Sequence, residues 1–324
     1  MQWMVVVAPA LLVVGAVSAN LAGTVPPRTD GSALSHQCTT RNGFDLGGGH
    51  VDLIFDPQEF SVSPSQVCDW VTESAQAVTS YFGRFPVHRV RLVLKPVDGD
   101  HISGGTTYGG SDDGNPLIVV RLGRSADMAA LQRDWVMTHE MVHLSVPSVP
   151  DNSHWLEEGI ATYVEPIARA QVGAVSVHKV WADMFHGMVK GMPVPGDQGL
   201  DYTPTWGRTY WGGALFCLMA DVEIRRRTGN RMGLQDALRG VLAAGGSIRQ
   251  DWSVERVLTA GDRATGVPVL MELYKQMGAT PSPAAGELEA LWRQLGVLPA
   301  GDDVALSEDS PLAPQREAIT APPS

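Results

Sequence analysis

Two histidines and the glutamate between them form the most chemically specific stretch of this 324-residue chain. His139 and His143 are four residues apart, and on a helix such residues lie one turn apart on the same face. Two imidazole nitrogens on one face are a suitable pair of ligands for a zinc ion. Glu140 lies one position further round the helix, where its carboxylate is placed to accept a proton from a metal-held water. The sequence therefore predicts a zinc site with Glu140 as its general base.

A third ligand is expected from the segment that follows. Catalytic zinc sites commonly take three protein ligands and leave a fourth position to water. Glu157 and Glu158 follow His143 at a distance that allows the chain to turn back towards the histidines. From the residues alone, both carboxylates are candidates for the third ligand.

Two helices have to hold these side chains in place. The first is predicted to start at Ser125 as its N-cap and to run for about twenty residues until Pro147 ends it. The second is predicted over residues 155–170, with its N-cap among residues 151–153. The intervening loop is long enough to lay the second helix across the first.

The segment before the first helix is predicted to form a small mixed sheet packed against it. Strands are predicted over residues 51–55, 87–95 and 117–122. Ser63 and Pro64 predict the N-cap and first position of a helix between the first two strands. Residues 98–115 are rich in glycine and are predicted to form a loop, with His101 on the surface.

The chain after residue 170 is predicted to be mostly helical. Helices are predicted over residues 175–189, 209–226, 234–242, 254–260, 267–277 and 287–295. His178 and His186 belong to the first of these helices and are interpreted as structural or surface residues. Tyr210 lies near the start of the next helix, where a phenol can donate a hydrogen bond to an oxyanion.

The His139–His143 motif, taken together with the run Trp-Leu-Glu-Glu-Gly-Ile-Ala-Thr-Tyr at residues 155–163, resembles the gluzincin (clan MA) zinc metallopeptidases. The chain is most similar to the catalytic domain of the glycyl aminopeptidase family, and the similarity covers about residues 87–297. Weaker matches that favour this family lie at residues 210–215, 221–230, 234–239 and 262–266.

The resemblance implies an α+β, thermolysin-like gluzincin catalytic domain. Such a domain has a small mixed β-sheet and zinc-binding helices, followed by a mostly helical C-terminal lobe. It implies one Zn²⁺ per chain, held by His139, His143 and Glu158 rather than Glu157. It also implies peptide hydrolysis by a metal-activated water, with Glu140 as general base and Tyr210 stabilising the oxyanion.

Three departures from the family pattern leave an alternative open. The loop between His143 and Glu158 is shorter, and Gly212 stands where the family has a lysine. The glutamate that takes the substrate amine in aminopeptidase gluzincins is missing from residues 108–113, where Asp112 and Asp113 are candidate substitutes with a shorter side chain. The choice between exopeptidase and endopeptidase therefore stays open, and so does an inactive secreted zinc-containing binding or scaffold protein of the same fold.

Composition and the two ends of the chain lead to further predictions. Residues 1–19 are predicted to be a signal peptide, 20–48 a leader or linker, 49–298 the catalytic domain and 299–324 a disordered tail. An exported protein is expected, with membrane contact only if the first segment is uncleaved. The net charge of −11 argues against nucleic-acid or anionic-membrane partners and leaves a peptide or protein substrate.

The three cysteines allow one internal disulfide at most. Cys38 and Cys68 are candidates for that bridge in an oxidising compartment. Cys217 lies in an apolar helical run and is predicted to be a buried free thiol.

Overall fold

A computed structural model describes residues 43–323 as an α+β fold with one five-stranded sheet, a two-stranded hairpin and many helices, which confirms the predicted fold class. The strands are β1 Phe44–Leu46, β2 Gly49–Ile54, β3 Arg89–Val97, β4 Ile102–Tyr108, β5 Leu117–Gly123, β6 Val297–Ala300 and β7 Asp303–Leu306. The helices are α1 Pro64–Phe82, α2 Met128–Arg133, α3 Val136–His143, α4 Trp155–Gln171, α5 Val177–Met188, α6 Gly213–Thr228, α7 Leu234–Ala243, α8 Val254–Thr265, α9 Val269–Met277, α10 Glu287–Leu295 and α11 Ala313–Thr320.

The main sheet is mixed, with the strand order β1-β2-β3-β5-β4. Strands β2, β3 and β5 run parallel, whereas β4 pairs antiparallel with β5 and forms one edge. Alternate side chains of β3, such as Val90 and Leu92, are buried, as the period of a strand with one face on the core requires. Helix α1 belongs to the same core, and it starts as predicted with Ser63 capping Gln66 and Pro64 at its first position.

The prediction of one long helix from Ser125 to Pro147 is wrong, because the chain breaks between α2 and α3. Asp134 leaves the helical conformation, and its carboxylate accepts hydrogen bonds from the backbone N–H groups of Val136 and Met137 at 3.0 Å each. The indole of Trp70 on α1 holds the same carboxylate at 3.0 Å. A short polar side chain that satisfies the next helix start is a better solution here than continued helix.

The prediction of a loop over residues 98–115 is also wrong in part, since β4 occupies its middle. Glycine is unfavourable in strands, and two adjacent glycines inside β4 made the segment look like a loop. The pairing of β4 with β5 shifts register between Ile102 and Gly104, so the strand begins at a bulge.

The predicted disordered tail is ordered, which corrects the C-terminal boundary at residue 298. Strands β6 and β7 form a hairpin, and α11 packs beside α4 and α6. Arg316 is 2% exposed and donates from Nη1 to the backbone oxygens of Leu295, Gly296 and Ser307. Composition suggested disorder, but buried Ile319 and this arginine attach the segment to the core.

The expected leader over residues 20–48 overlaps the fold, because β1 pairs with β2 at its end. The predicted signal peptide and Cys38 lie outside the described residues, so both stay predictions. Cys68 on α1 takes part in a disulfide, and Cys217 is a buried free thiol as predicted. Within residues 43–323, no helix combines the length and apolar character needed to cross a bilayer.

Helices α4 and α6 cross where two glycines face each other. A Cβ added at Gly159 would lie 2.4 Å from the Cα and backbone carbon of Gly213, and one added at Gly213 would lie 2.2 Å from the oxygen of Trp155. Only residues without a side chain allow the helix backbones to approach this closely. The crossing therefore sets the distance between Glu158 on α4 and the turn that precedes α6.

Gly159→Ala is expected to lower the free energy of unfolding by at least about 2 kcal/mol, because overpacking forces the two helices apart. The gain in helix propensity, about 1 kcal/mol, offsets only part of this cost. Chemical denaturation of the zinc-free protein measures the difference without a contribution from the metal. An unchanged midpoint would mean that the crossing tolerates a methyl group.

Candidate metal and catalytic site

Three buried side chains converge where α3 meets α4. His139 Nε2 lies 3.2 Å from Glu158 Oε2, and His143 Nε2 lies 3.6 Å from the same oxygen. One ligand atom from each of the three residues lies within 4.8 Å of the others. All three side chains are at most 1% exposed. The structure thus brings together the three residues that the sequence and the resemblance implicate.

The same cluster has the chemistry of a zinc site. His143 Nε2 is buried without a hydrogen-bond partner among the described residues. Burying such a group unpaired is costly, and a cation bound to it removes the cost. Burial alone would raise the pKa of Glu158, but the neighbouring imidazoles, His143 foremost, outweigh it and hold that pKa well below its usual range. An ionised carboxylate with two imidazoles is the donor set of a three-ligand zinc centre.

Glu157, the competing candidate, points elsewhere. Its Oε1 accepts a hydrogen bond of 2.6 Å from the backbone N–H of Val149, and Oε2 lies 3.3 Å from His154 Nδ1. Glu157 therefore stabilises the loop between α3 and α4. The expected N-cap of α4 is wrong too, since residues 151–153 form a 3₁₀ turn and the cap position falls on His154 without a side-chain bond.

His154 is a neighbour of the site that sequence reasoning missed. Its Nε2 lies 3.2 Å from Glu158 Oε1, the oxygen that faces away from the two zinc-site histidines. Burial would lower the pKa of His154, but the contacts with Glu157 and Glu158 prevail and raise it to about 10. The spacing of four residues between His154 and Glu158 was the available signal, because such residues meet on one helix face.

Other residues of the 155–163 run position α4. The indole N–H of Trp155 donates to Asp201 at 2.8 Å, and the phenol of Tyr163 donates to Asp221 at 3.0 Å. Asp221 lies on α6, so Tyr163 adds a buried polar contact to the helix crossing at Gly159. Trp155 and Tyr163 therefore have structural roles. Glu158 is the residue of this run that joins His139 and His143 in the candidate metal site.

Glu140 lies between the histidines on α3, fully buried against the edge strand β4. Thr107 on β4 donates its hydroxyl to Glu140 Oε2 at 2.6 Å. Burial raises the pKa of Glu140 to about 7, although the nearby His143 and the Thr107 hydrogen bond act in the opposite direction. Its second oxygen, Oε1, has no partner among the described residues. A buried carboxylate with one oxygen fixed and one free is suited to proton transfer.

The close packing of β4 on Glu140 requires a glycine. A Cβ added at Gly105 would lie 2.4 to 2.7 Å from the Cγ, Cδ and Oε1 atoms of Glu140. This contact gives Gly105 a physical role, which is to let the strand approach the carboxylate. It also shows which segment borders the site, namely the strand rather than the turn after it.

Gly105→Ala is expected to reduce the turnover of a peptide substrate about 100-fold while zinc content is kept, because displacement of a catalytic group by about 1 Å has effects of this size. Metal analysis and steady-state kinetics on the same preparation test this. Gly110→Ala is the matched control, since a Cβ there meets no atom within 4 Å. Equal losses in both variants would contradict the role assigned to Gly105.

Tyr210 lies on a π-helical turn, Gly207–Gly212, directly before α6. Its ring stacks on Trp206 with centroids 5.8 Å apart. Burial raises the pKa of the Tyr210 phenol, and the charges of Glu158 and Glu140 raise it further. The phenol therefore keeps its proton and is available as a hydrogen-bond donor beside the metal cluster. A π-helical turn inside a helix is a frequent feature of functional sites.

Asp112 and Asp113, the possible substitutes for an amine-binding glutamate, are exposed in the turn after β4. Asp113 accepts hydrogen bonds from Ser111 Oγ at 2.6 Å and from the Asn115 backbone at 3.0 Å. Asp113 thus stabilises its own turn, and the structure does not bring the pair into the cluster. His101 is likewise on the surface, as predicted.

No protein-family model and no curated protein sequence matches the chain. Among solved structures, an aminopeptidase N family protein from Idiomarina loihiensis superposes with a TM-score of 0.56 at 13% identity, over 79% of this chain and 49% of that protein. This likeness shows that the chain shares the fold of the matched part of that structure. An M1 zinc metallopeptidase from Deinococcus radiodurans matches at 17% identity with a TM-score of 0.47, over 75% of this chain and 51% of that one. The chain spans about half the length of each of these two solved structures.

Proposed function

We propose that this chain is a zinc-dependent peptidase. The observation that carries the proposal is the buried cluster of His139, His143 and Glu158 with Glu140 immediately beside it, in a gluzincin fold. A purely structural zinc site would close its fourth position with a protein ligand. Within the described residues the cluster contains three such side chains and a buried carboxylate that no metal ligation requires.

Each side chain of the site has its own role in the proposed hydrolysis. When bound to the three ligands, zinc would polarise the scissile carbonyl and lower the pKa of a water molecule. Glu140 accepts the proton of the attacking water through its free oxygen and passes it to the leaving amine. Thr107 keeps the other oxygen in place. Tyr210 donates a hydrogen bond to the oxygen on which negative charge develops.

The location and the substrate belong to the same proposal. An apolar N-terminal segment with small residues at its end supports export to the periplasm or the extracellular space. The substrate is a peptide or protein. The missing amine-binding glutamate, together with the position of Asp112 and Asp113 away from the cluster, favours an enzyme that does not depend on a free substrate amine.

Zinc content and cleavage of a mixed peptide library test the proposal together. The chain from Asn20 onward is expected to bind one zinc and to cut peptides at internal bonds. The positions of the new ends separate exopeptidase from endopeptidase activity. One zinc without cleavage would instead support an inactive zinc-containing binding protein, and no zinc would refute the metal site.

A further inference from the structure

Lys190 follows α5 and carries a positive charge without a matching carboxylate. Its Nζ lies 5.9 Å from the ring centroid of Trp206 and 5.6 Å from that of Trp211. It forms no ion pair within residues 43–323. By contrast, Lys179 on α5 is paired with Asp183 at 2.8 Å. Two aromatic faces favour a cation, but they leave its hydrogen-bonding capacity for another group.

The backbone around Lys190 is fixed to the π-helical turn by three glycines. A Cβ added at Gly187 would lie 2.0 Å from the ring of Trp211. A Cβ added at Gly191 would lie 2.3 Å from the backbone carbonyl carbon of Trp211. A Cβ added at Gly207 would lie 2.2 Å from the backbone oxygen of Lys190. The lysine is therefore held at a set position relative to the turn that bears the catalytic tyrosine.

Trp206 connects this lysine to the metal cluster. It is 45% exposed, and its ring stacks on Tyr210. Tyr210 lies on the turn directly before α6, and α6 contacts α4 at Gly159, the residue after Glu158. The Trp206 ring centroid lies 5.9 Å from Lys190 Nζ and 5.8 Å from the Tyr210 ring centroid, so the lysine and the tyrosine are separated by at most these two distances together. An extended peptide covers that distance in about three residues, at roughly 3.3 Å each.

We propose that Lys190 and Trp206 form a subsite for a carboxylate of the substrate, about three residues or fewer from the scissile bond. The inference rests on the proposed function, because it places a peptide in the zinc cleft. The ammonium group pairs with the carboxylate, and the exposed part of the Trp206 indole packs against the adjoining methylene groups. The carboxylate belongs either to the C-terminus of the substrate or to an acidic side chain.

The charges around the cleft favour a carboxylate over an amine at this position. Glu157 is bonded to the Val149 backbone, Glu158 faces the histidines, and Glu140 is held by Thr107. Glu157 and Glu158 are thus engaged by groups of the protein, the free oxygen of Glu140 is assigned to the attacking water, and no described carboxylate pairs with Lys190. An amine near Lys190 would meet a like charge, whereas a carboxylate would gain an ion pair.

Binding of matched peptides to the zinc-loaded Glu140→Gln protein tests the subsite without relying on turnover. Each pair of short peptides differs only by glutamate against glutamine at one position, or by a C-terminal acid against its amide. We expect the charged member of at least one pair to bind about fivefold more tightly, and the advantage to shrink in high salt. The pair that shows the difference identifies the source of the carboxylate.

Variants of Lys190 and a matched lysine separate the outcomes. Lys190→Met is expected to remove the preference while neutral peptides still bind, Lys190→Arg to keep it, and Lys190→Glu to reverse it. Lys179→Met is the control and should leave the preference unchanged, since that lysine is paired with Asp183. Equal affinities within every pair, or a preference that survives in Lys190→Met, would overturn the subsite.

Failure of the subsite and failure of the proposed function give different results. If wild-type protein cleaves peptides but no pair differs in affinity, the peptidase stands and the subsite is refuted. If no peptide is cleaved while the Lys190-dependent preference persists, the subsite stands on a binding protein. In both cases the peptide affinities decide on the subsite, and peptide cleavage decides on the peptidase.

Discussion

Glu140→Gln is expected to keep one zinc per chain and to lower kcat by about a thousandfold or more, which is within the range for loss of a general base. The amide has nearly the shape of the carboxylate and can still accept the hydrogen bond from Thr107, so the packing against Gly105 is preserved. It cannot take a proton from water. The substitution leaves the three proposed metal ligands in place, since none of their side chains is hydrogen-bonded to the Glu140 carboxylate.

Metal analysis and single-turnover kinetics on one preparation check this expectation. Glu289→Gln makes the same chemical change at an exposed position of α10 and should retain full activity. Near-normal turnover in Glu140→Gln would exclude Glu140 as the base. Loss of zinc along with activity would show instead that the carboxylate supports the metal site.

Glu158→Gln is expected to weaken zinc binding by more than about 100-fold, the upper end of the effect for residues that only orient ligands. The variant loses the negative charge that faces both imidazoles, and an amide oxygen is a much weaker zinc ligand. The increase in melting temperature that zinc causes in the wild type should disappear with it, because the stabilisation follows metal affinity. Competition with a chromophoric chelator measures the affinity directly.

Glu157→Gln is the matched control for the neighbouring position. Glu157 accepts a hydrogen bond from Val149 and contacts His154, so its amide variant should lose some stability in the loop and keep zinc. If Glu157→Gln lost zinc and Glu158→Gln kept it, the assignment of the third ligand would be reversed. Wild-type zinc affinity in both variants would exclude Glu157 and Glu158 as the third ligand.

The long segments with clear periodicity were predictable. Helix α1 starts at Ser63 and Pro64 as expected, and α4 occupies Trp155–Gln171 against a prediction of residues 155–170. Apolar spacing and N-caps are local signals, because each depends only on residues within the helix that it predicts or directly before it. The errors lie where a distant contact overrode a local signal. At Asp134 the contact with Trp70 adds to the local capping of α3, and the tail is ordered with Arg316 buried against the core.

By itself, the sequence determined the chemical types of the site. A spacing of four residues puts His139 and His143 on one helix face whatever surrounds them, and Glu140 must then lie beside them. It also presented two adjacent carboxylates, and residues one position apart on a helix point in directions about 100° apart. Only one of them can face the histidines, but local rules do not say which one.

Only the tertiary structure decided the rest. The crossing of α4 over α3 turned Glu158 towards the histidines and left Glu157 to the loop, and the glycine contact with α6 placed Tyr210 at the same cluster. The approach of β4 buried Glu140 and raised its pKa. Each of these facts depends on how closely two separate backbone segments approach. That distance is a property of packing between segments remote in the sequence, and no local pattern of residues contains it.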